Sequence, residues 1–341
     1  MMDTATLLSK LRERDVKLWI EEGRLKCSAP VGALEPEMRG MLTSRKEEIM
    51  AFLRQAEARK NGPAAIVPIK PEGRRSPLFA VSGHGGDVFW LLALARHLDA
   101  EQPVLGVQPP GLDGSEPLRS VEALARYEVE QIRSYRPHGP YLIAGHCAGG
   151  TIAFEVAQQL TSAGEEVALV ALIGTPYPTM FRQAPQLLLR LRRHLRALTT
   201  GSFAERKGYI VSRLQGRLQK RTALAGVSPA VMAARWRVES ATVEAVRNYT
   251  PRHYANHIDL FVTRDEWHRS DLWRAVASTA REQSLGYFDI DDLLLGSQVE
   301  VLAKLLQDRL TSAQNAIDHA GRAHASIAIK PTVDFNLEQA S

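Results

Sequence analysis

The chain is 341 residues long and 45% hydrophobic, carries a formal net charge of +5 and has two cysteines. That content suffices for one full-sized core plus a small module, and no run is long and apolar enough to span a bilayer. Cys27 and Cys147 belong to no C-x-x-C pair, no H-E-x-x-H occurs and no secretory pattern opens the chain, so a reduced, cytoplasmic protein without a metal is expected, and its positive charge, lacking any nucleic-acid motif, suits an acidic protein partner.

Residues 1–57 carry a pattern of their own. A short helix over Thr6 to Arg14, strands over Val16 to Glu21 and Arg24 to Ser28 joined by a Glu22-Gly23 turn, and helices from about Glu35 predict a small αββαα module with a thin core. Leu7, Leu8 and Leu11, the strand Val16 to Ile20, the hairpin Glu22 to Leu25, the Ala29-Pro30 corner and the helical positions Leu42 to Lys46, Glu48, Ile49 and Leu53 resemble the tubulysin-type N-terminal docking domains of peptide and polyketide assembly lines. The resemblance implies capture of a short C-terminal peptide of a synthase subunit along the hairpin edge, with Lys17, Trp19 and Lys26 as candidate contacts.

Residues 58–75, with Gly62-Pro63, Pro68, Pro71 and Gly73, read as a linker. Beyond them strands alternate with helices: Leu78 to Val81, a Gly-rich turn, a helix through Trp90 to Leu98, Val104 to Val107, a helix over Glu122 to Tyr135, and Tyr141 to Gly145. Another helix and the strand Glu166 to Ile173 follow, which predicts a parallel sheet.

At Gly145-His146-Cys147-Ala148-Gly149 a strand ends in a small-residue turn and a helix begins. That is the setting of a nucleophile elbow, with glycines where strand and helix approach too closely for side chains and Cys147 at the helix N-terminus, where amides and dipole favour a thiolate. The backbone amides of Ala148 and of His84, in the Gly-rich turn, are the candidate oxyanion donors.

Leu78 to Leu98, Val107 to Gly114, Arg136 to Tyr141, the elbow and Gly164 to Val167 together resemble the thioesterase family of nonribosomal peptide and polyketide synthases over about residues 76–310. The resemblance implies an α/β-hydrolase fold with a helical lid, here about residues 176–242, acting on acyl groups carried on the phosphopantetheine of carrier proteins, with no cofactor of its own. The lid is basic, with leucines and arginines at helical spacing from Leu187 to Arg196.

The family's acid and base are missing from their places. Gly174 follows the strand ending at Ile173 where the family has aspartate, and Phe288 to Leu294 after the expected last strand, Leu285 to Asp291, contains no histidine. Asp265, after the strand Ile258 to Val262, is a candidate relocated acid, and among His84, His146, His253, His257 and His268 the first lies closest to the expected pocket. A closing helix over Val299 to Leu310 and a polar tail, 311–341, complete the chain.

Hydrolysis must activate water and needs the histidine most; exchange between thiols does not. The expected activity is therefore an acyl or aminoacyl shuttle through Cys147, similar to the cysteine-bearing family members that move aminoacyl groups between carriers. A hydrolytic or cyclising thioesterase and a catalytically degenerate docking scaffold are the alternatives.

Overall fold

Four consecutive apolar residues make up β4 (Leu78–Val81), and all four are buried, as both faces of a strand must be when helices cover a parallel sheet on either side. β5 (Val104–Val107) and β6 (Tyr141–His146) are likewise buried throughout. The computed structural model describes residues 16–21, 23–30, 36–50, 52–53, 65–88, 90–182, 229–263, 268–285 and 299–328, together with Leu7, Leu11 and Leu294. Among them seven strands form one sheet in the order β3 (Ile66–Lys70), β5, β4, β6, β7 (Val167–Ile173), β8 (Tyr254–Val262) and β9 (Ala277–Ser284). Every neighbouring pair is parallel except β3 with β5.

Helices α2 (Trp90–His97) and α7 (Val299–Ala328) pack on one face of this sheet, and α3 (Val121–Tyr135), α4 (Ala148–Ser162) and the end of α6 (Pro229–Asn248) on the other. Ser120 caps α3 by accepting from the Ala123 amide at 3.2 Å. At the other end of α2, the Lys70 ammonium donates to the carbonyls of Ala95, Leu98 and Asp99, a cation where the helix dipole is negative. The fold is thus the α/β-hydrolase arrangement expected from the alternation of elements, with the elbow at the carboxyl end of the central strand β6.

Two expectations are corrected and one strand is added. Residues 66–70, inside the stretch read as linker, form β3; Pro68 has no amide to give a ladder, and the edge of the sheet is where a strand tolerates that. Among the described residues the sheet ends on a strand that the sequence reading did not contain, Ala277–Ser284, because an edge strand exposed along most of its length carries no apolar signal; of the expected strand Leu285 to Asp291 only Leu285 is described. The closing helix does not stop at Leu310 but runs to Ala328, with Ala313 and Ile317 continuing the face that Leu306 and Leu310 bury.

In the N-terminal module β1 (Lys17–Glu21) and β2 (Arg24–Ser28) pair antiparallel, with Trp19 opposite Lys26 and Lys17 opposite Ser28. Leu18 and Leu25 turn inward onto Leu7, Leu11, Val16, Met38 and Ile49, while Lys17, Trp19 and Lys26 are exposed. The helix α1 (Pro36–Ser44) follows. Of the expected first helix only Leu7 and Leu11 are among the described residues, and both are buried in this small core.

One buried residue in α3 opposes the fold. Glu128 occupies the helix face that also buries Val121, Leu124, Ala125 and Ile132, and neither carboxyl oxygen has a hydrogen-bond partner among the described residues. Burial pushes its pKa well above the usual carboxylate range, so the folded chain holds it protonated. From the ordinary carboxylate range upward the unfolded chain releases a proton that the folded chain must keep, so stability falls with rising pH by about 1.4 kcal/mol per unit until the folded pKa is reached. Replacing Glu128 with Met, similar in volume and apolar, is expected to stabilise the protein by about 1–3 kcal/mol at pH 8. Urea unfolding checks this, and the gain must shrink as the pH is lowered to 5.

Candidate active site

The elbow is built by crowding. Cys147 caps α4 with φ of 53° and ψ of −122°, a conformation a side chain rarely adopts, and its amide donates to the Ile173 carbonyl at 3.1 Å. A Cβ at Gly145 would overlap the Gly149 carbonyl, and one at Gly149 would overlap the carbonyl of Ser82 at the end of β4. These are the two glycines the sequence singled out. Gly150, given no role from sequence, is the third: its Cβ would overlap the Thr175 side chain beyond β7. Three strand ends therefore converge on the first turn of α4, and Cys147 is left half-buried at their junction.

Ala148 is the first residue of α4, where backbone amides have no partner one turn back, which leaves its N–H available to an oxyanion. The second candidate donor, the His84 amide, sits in the loop after β4. That loop is held by Ser82 donating to Val107, Gly86 to Gly83, and the Gln108 side chain to the Gly86 carbonyl. Its approach to the elbow is close at Gly83, where a Cβ would lie 3.5 Å from His146 Nδ1.

The histidines separate clearly. His146 is buried with its ring 5.4 Å from that of Trp90, and burial, with smaller effects of His84 and His268, lowers its pKa to about 3. It is neutral near pH 7 and too weak a base to take a thiol proton. The half-exposed imidazole of His84 turns to the lid side, its Nε2 3.5 Å from Glu239 Oε1 on α6. His268, beyond β8, is buried; its carbonyl accepts from the amide of Tyr177 at 3.1 Å, just past the carboxyl end of β7, so it lies at the same edge of the sheet. His253 is exposed, and exposed His257 bonds Thr279 Oγ1 at 2.9 Å, five residues before the end of β8 and so about 16 Å from that edge.

Where the family's acid is expected, Gly174 has φ of 52° and donates to Phe261 at 2.7 Å. Asp265, residues 286–293 and most of the lid, 183–228, lie outside the described residues. The lid's two ends are described and are stapled together. Arg182 of α5 (Thr179–Arg182) donates to the carbonyls of Arg247 and Tyr249 and to Thr250 Oγ1, and Arg247 donates back to the Phe181 carbonyl at 3.1 Å. The Tyr249 hydroxyl donates to Glu155 of the elbow helix at 2.6 Å, and Arg252 meets the same buried carboxylate. Sequence reasoning missed Arg182 and Glu155; a glutamate on the apolar face of α4 was the available signal.

Among the described residues no group of three or more histidines, cysteines or carboxylates is placed to hold a metal, and no helix is long and apolar enough to cross a membrane. Charge is concentrated instead at the lid helix. Besides Glu239, Arg235 pairs with Asp87, Arg237 donates to the Gly114 carbonyl at 3.2 Å, and Glu244 pairs with Arg119 at 2.8 Å.

Comparison with known proteins agrees with this fold. Residues 76–311 match the family model described as a thioesterase domain, and residues 5–55 match that of the TubC N-terminal docking domain. Malpinin synthetase of Mortierella alpina is 42% identical over 118 residues, 34% of this chain and 2% of that protein. Indigoidine synthase of Dickeya dadantii is 36% identical over 135 residues, 39% of this chain and 9% of its own. Microperfuranone synthase of Emericella nidulans is 30% identical over 242 residues, 62% and 25%. The chain thus spans a quarter or less of the length of these curated relatives. Among solved structures, the thioesterase domain of NocB from the nocardicin cluster aligns with a TM-score of 0.55 at 20% identity, over 72% of this chain and 99% of that one. The Vlm2 thioesterase domain with a dodecadepsipeptide bound aligns with a TM-score of 0.53 at 21% identity, over 72% and 98%.

Proposed function

The chain belongs to the thioesterase-domain family, and from that premise we propose that it is a cysteine-dependent acyl or aminoacyl transferase acting on carrier-protein thioesters. The Cys147 thiolate attacks the thioester carbonyl presented on one carrier's phosphopantetheine. The carbonyl oxygen takes the negative charge against the Ala148 and His84 amides, the carbon–sulfur bond to the phosphopantetheine breaks and its thiolate leaves. The thiolate of a second carrier then attacks the enzyme thioester and frees Cys147. Each half exchanges one thioester for another of similar energy, so neither requires water to be activated.

The observation that carries this reading is the nucleophile itself: a cysteine at the strained apex of the elbow and the N-terminus of α4, beside Gly174 where the family places its acid. A hydrolytic or cyclising thioesterase is the second reading, favoured by one feature, the buried His268 at the same edge of the sheet. The address of the enzyme follows from its N-terminal module. We assign the exposed face bearing Lys17, Trp19 and Lys26 to contact with an acidic C-terminal docking peptide added along the hairpin, and carrier proteins to the lid side of the hydrolase domain.

Intact-protein mass spectrometry tests the choice. The enzyme is mixed with an acyl-loaded carrier and then chased with an empty phosphopantetheinylated carrier. The expected result is an adduct on Cys147 that persists without the chase and moves to the second carrier with little free acid. Rapid free acid or a cyclic product would establish the second reading instead.

A further inference from the structure

Lid helix α6 lies across the loop that carries an oxyanion donor, and three residues on one side of the helix make the contact. Arg235, Val238 and Glu239 stand at i, i+3 and i+4, neighbours on a helix surface. Arg235 pairs with Asp87, and Glu239 stands 3.5 Å from His84 Nε2, so the two charges grip the oxyanion loop three residues apart. Between them Val238, 1% exposed, fills two glycine hollows. A Cβ at Gly86 would come 3.0 Å from its Cγ1, and a Cβ at Gly111, in the loop after β5, 3.0 Å from its Cγ2. Both glycines have positive φ, 76° and 104°, so each loop is bent in a way other residues rarely permit at the point where the lid helix touches it.

These contacts are remote from Cys147 chemistry but adjacent to the His84 amide. An oxyanion donor works only where it is already aimed at the place charge will develop, and the loss of one donor costs about 10²–10³ in rate. The loop is anchored on one side by the Val107 carbonyl and the Gln108 side chain, and the lid helix supplies the contacts on the other.

We propose that Arg235 and Glu239 are positioning residues: through Asp87 and His84 they hold the oxyanion loop in register with Cys147, so that seating of the lid helix and competence of the oxyanion hole are one event. This rests on Cys147 being the nucleophile of the reading above. The acid–base alternative, in which Glu239 orients the His84 imidazole to take the thiol proton, uses the same pair and predicts different chemistry.

Two reagents separate them. p-Nitrophenyl hexanoate acylates a cysteine through a tetrahedral oxyanion, its ester carbon–oxygen bond breaking to release nitrophenolate; iodoacetamide alkylates the thiolate by displacement of iodide and forms no oxyanion. In the full chain, the double variant Arg235→Gln with Glu239→Gln is expected to lose about tenfold or more in the nitrophenolate burst rate, while its iodoacetamide rate stays within about twofold of wild type. The single variant Arg235→Asp is expected to lose burst rate, and adding Asp87→Arg, which restores the pair with charges exchanged, to recover most of it; thermal unfolding of each variant confirms that the fold is kept. An unchanged burst in the double variant overturns the proposal. Burst and alkylation falling together overturn it in favour of the acid–base alternative. A wild-type burst that survives Cys147→Ala removes the nucleophile assignment, and the proposal with it, a result distinct from either of the other two.

Discussion

Cys147→Ser is expected to fold normally and to lose acyl transfer by about a thousandfold or more. The two residues differ by one atom, and the half-buried site at the head of α4 accommodates either. What differs is the work needed to make the nucleophile. A thiol at a helix N-terminus is partly ionised near neutral pH, whereas a hydroxyl ionises far outside that range and must give its proton to a base during attack. A positioned base is worth about 10²–10⁴ in rate, and its orienting acid has no counterpart at Gly174. His146, the nearest histidine in sequence, is disqualified by the same burial that lowers its pKa to about 3. Single-turnover acylation from an acyl-loaded carrier measures the effect, with urea unfolding as the control for folding. A serine enzyme within tenfold of the parent would mean that a base serves position 147 after all. His268 would then be the first residue to replace, and the hydrolytic reading would gain what the transfer reading lost.

What the sequence made legible follows from how local each signal is. The elbow could be read because strand, turn and helix are contiguous, and the glycines announce a close approach before its partner is known. The partner of Gly149 turned out to be the Ser82 carbonyl, sixty-odd residues away, and that of Gly150 the Thr175 side chain. Strands β4, β5 and β6 could be read because burial on both faces demands unbroken apolar runs. Strands at the sheet edges escaped: β3 contains a proline and resembles linker, and β9 is mostly polar because one side of its ladder and much of its surface meet water. The lid clamp lies beyond any sequence reading of this kind, since Arg235 and Asp87 are 148 residues apart and each alone looks like a solvated charge. The same holds for Arg182, which becomes meaningful only when the chain returns to it at Arg247 and Tyr249. In this protein the proposed nucleophile sits in a local feature, the elbow, and the contacts around it are long-range ones.

Gly149→Ala is expected to damage stability and catalysis together, and the link between the two losses is the Ser82 carbonyl. The added methyl has no free space, because it would overlap that carbonyl, which is backbone and cannot rotate away as a side-chain tip can. Either α4 moves back from β4 or the loop beginning at Ser82 moves out; overpacking of this sort costs about 1–3 kcal/mol. Helix α4 is fixed by burial along most of its length and by Glu155, which holds Tyr249, so the loop is the part that yields. Two residues along that loop is His84, and displacing its amide would remove the proposed oxyanion donor, a loss of about 10²–10³ in rate. Gly40→Ala is the matched control. It lies in α1 with nothing within 4 Å of the new methyl, and alanine in place of glycine in a helix is expected to raise stability by about 0.5–1 kcal/mol without touching the hydrolase domain. Urea unfolding and the nitrophenolate burst, measured on both variants, decide the matter. Should Gly149→Ala keep its stability to within about 0.5 kcal/mol and its full burst rate, the elbow would not be crowded as described; a stability loss with the burst rate intact would instead show that α4 gives way while the oxyanion loop stays in place.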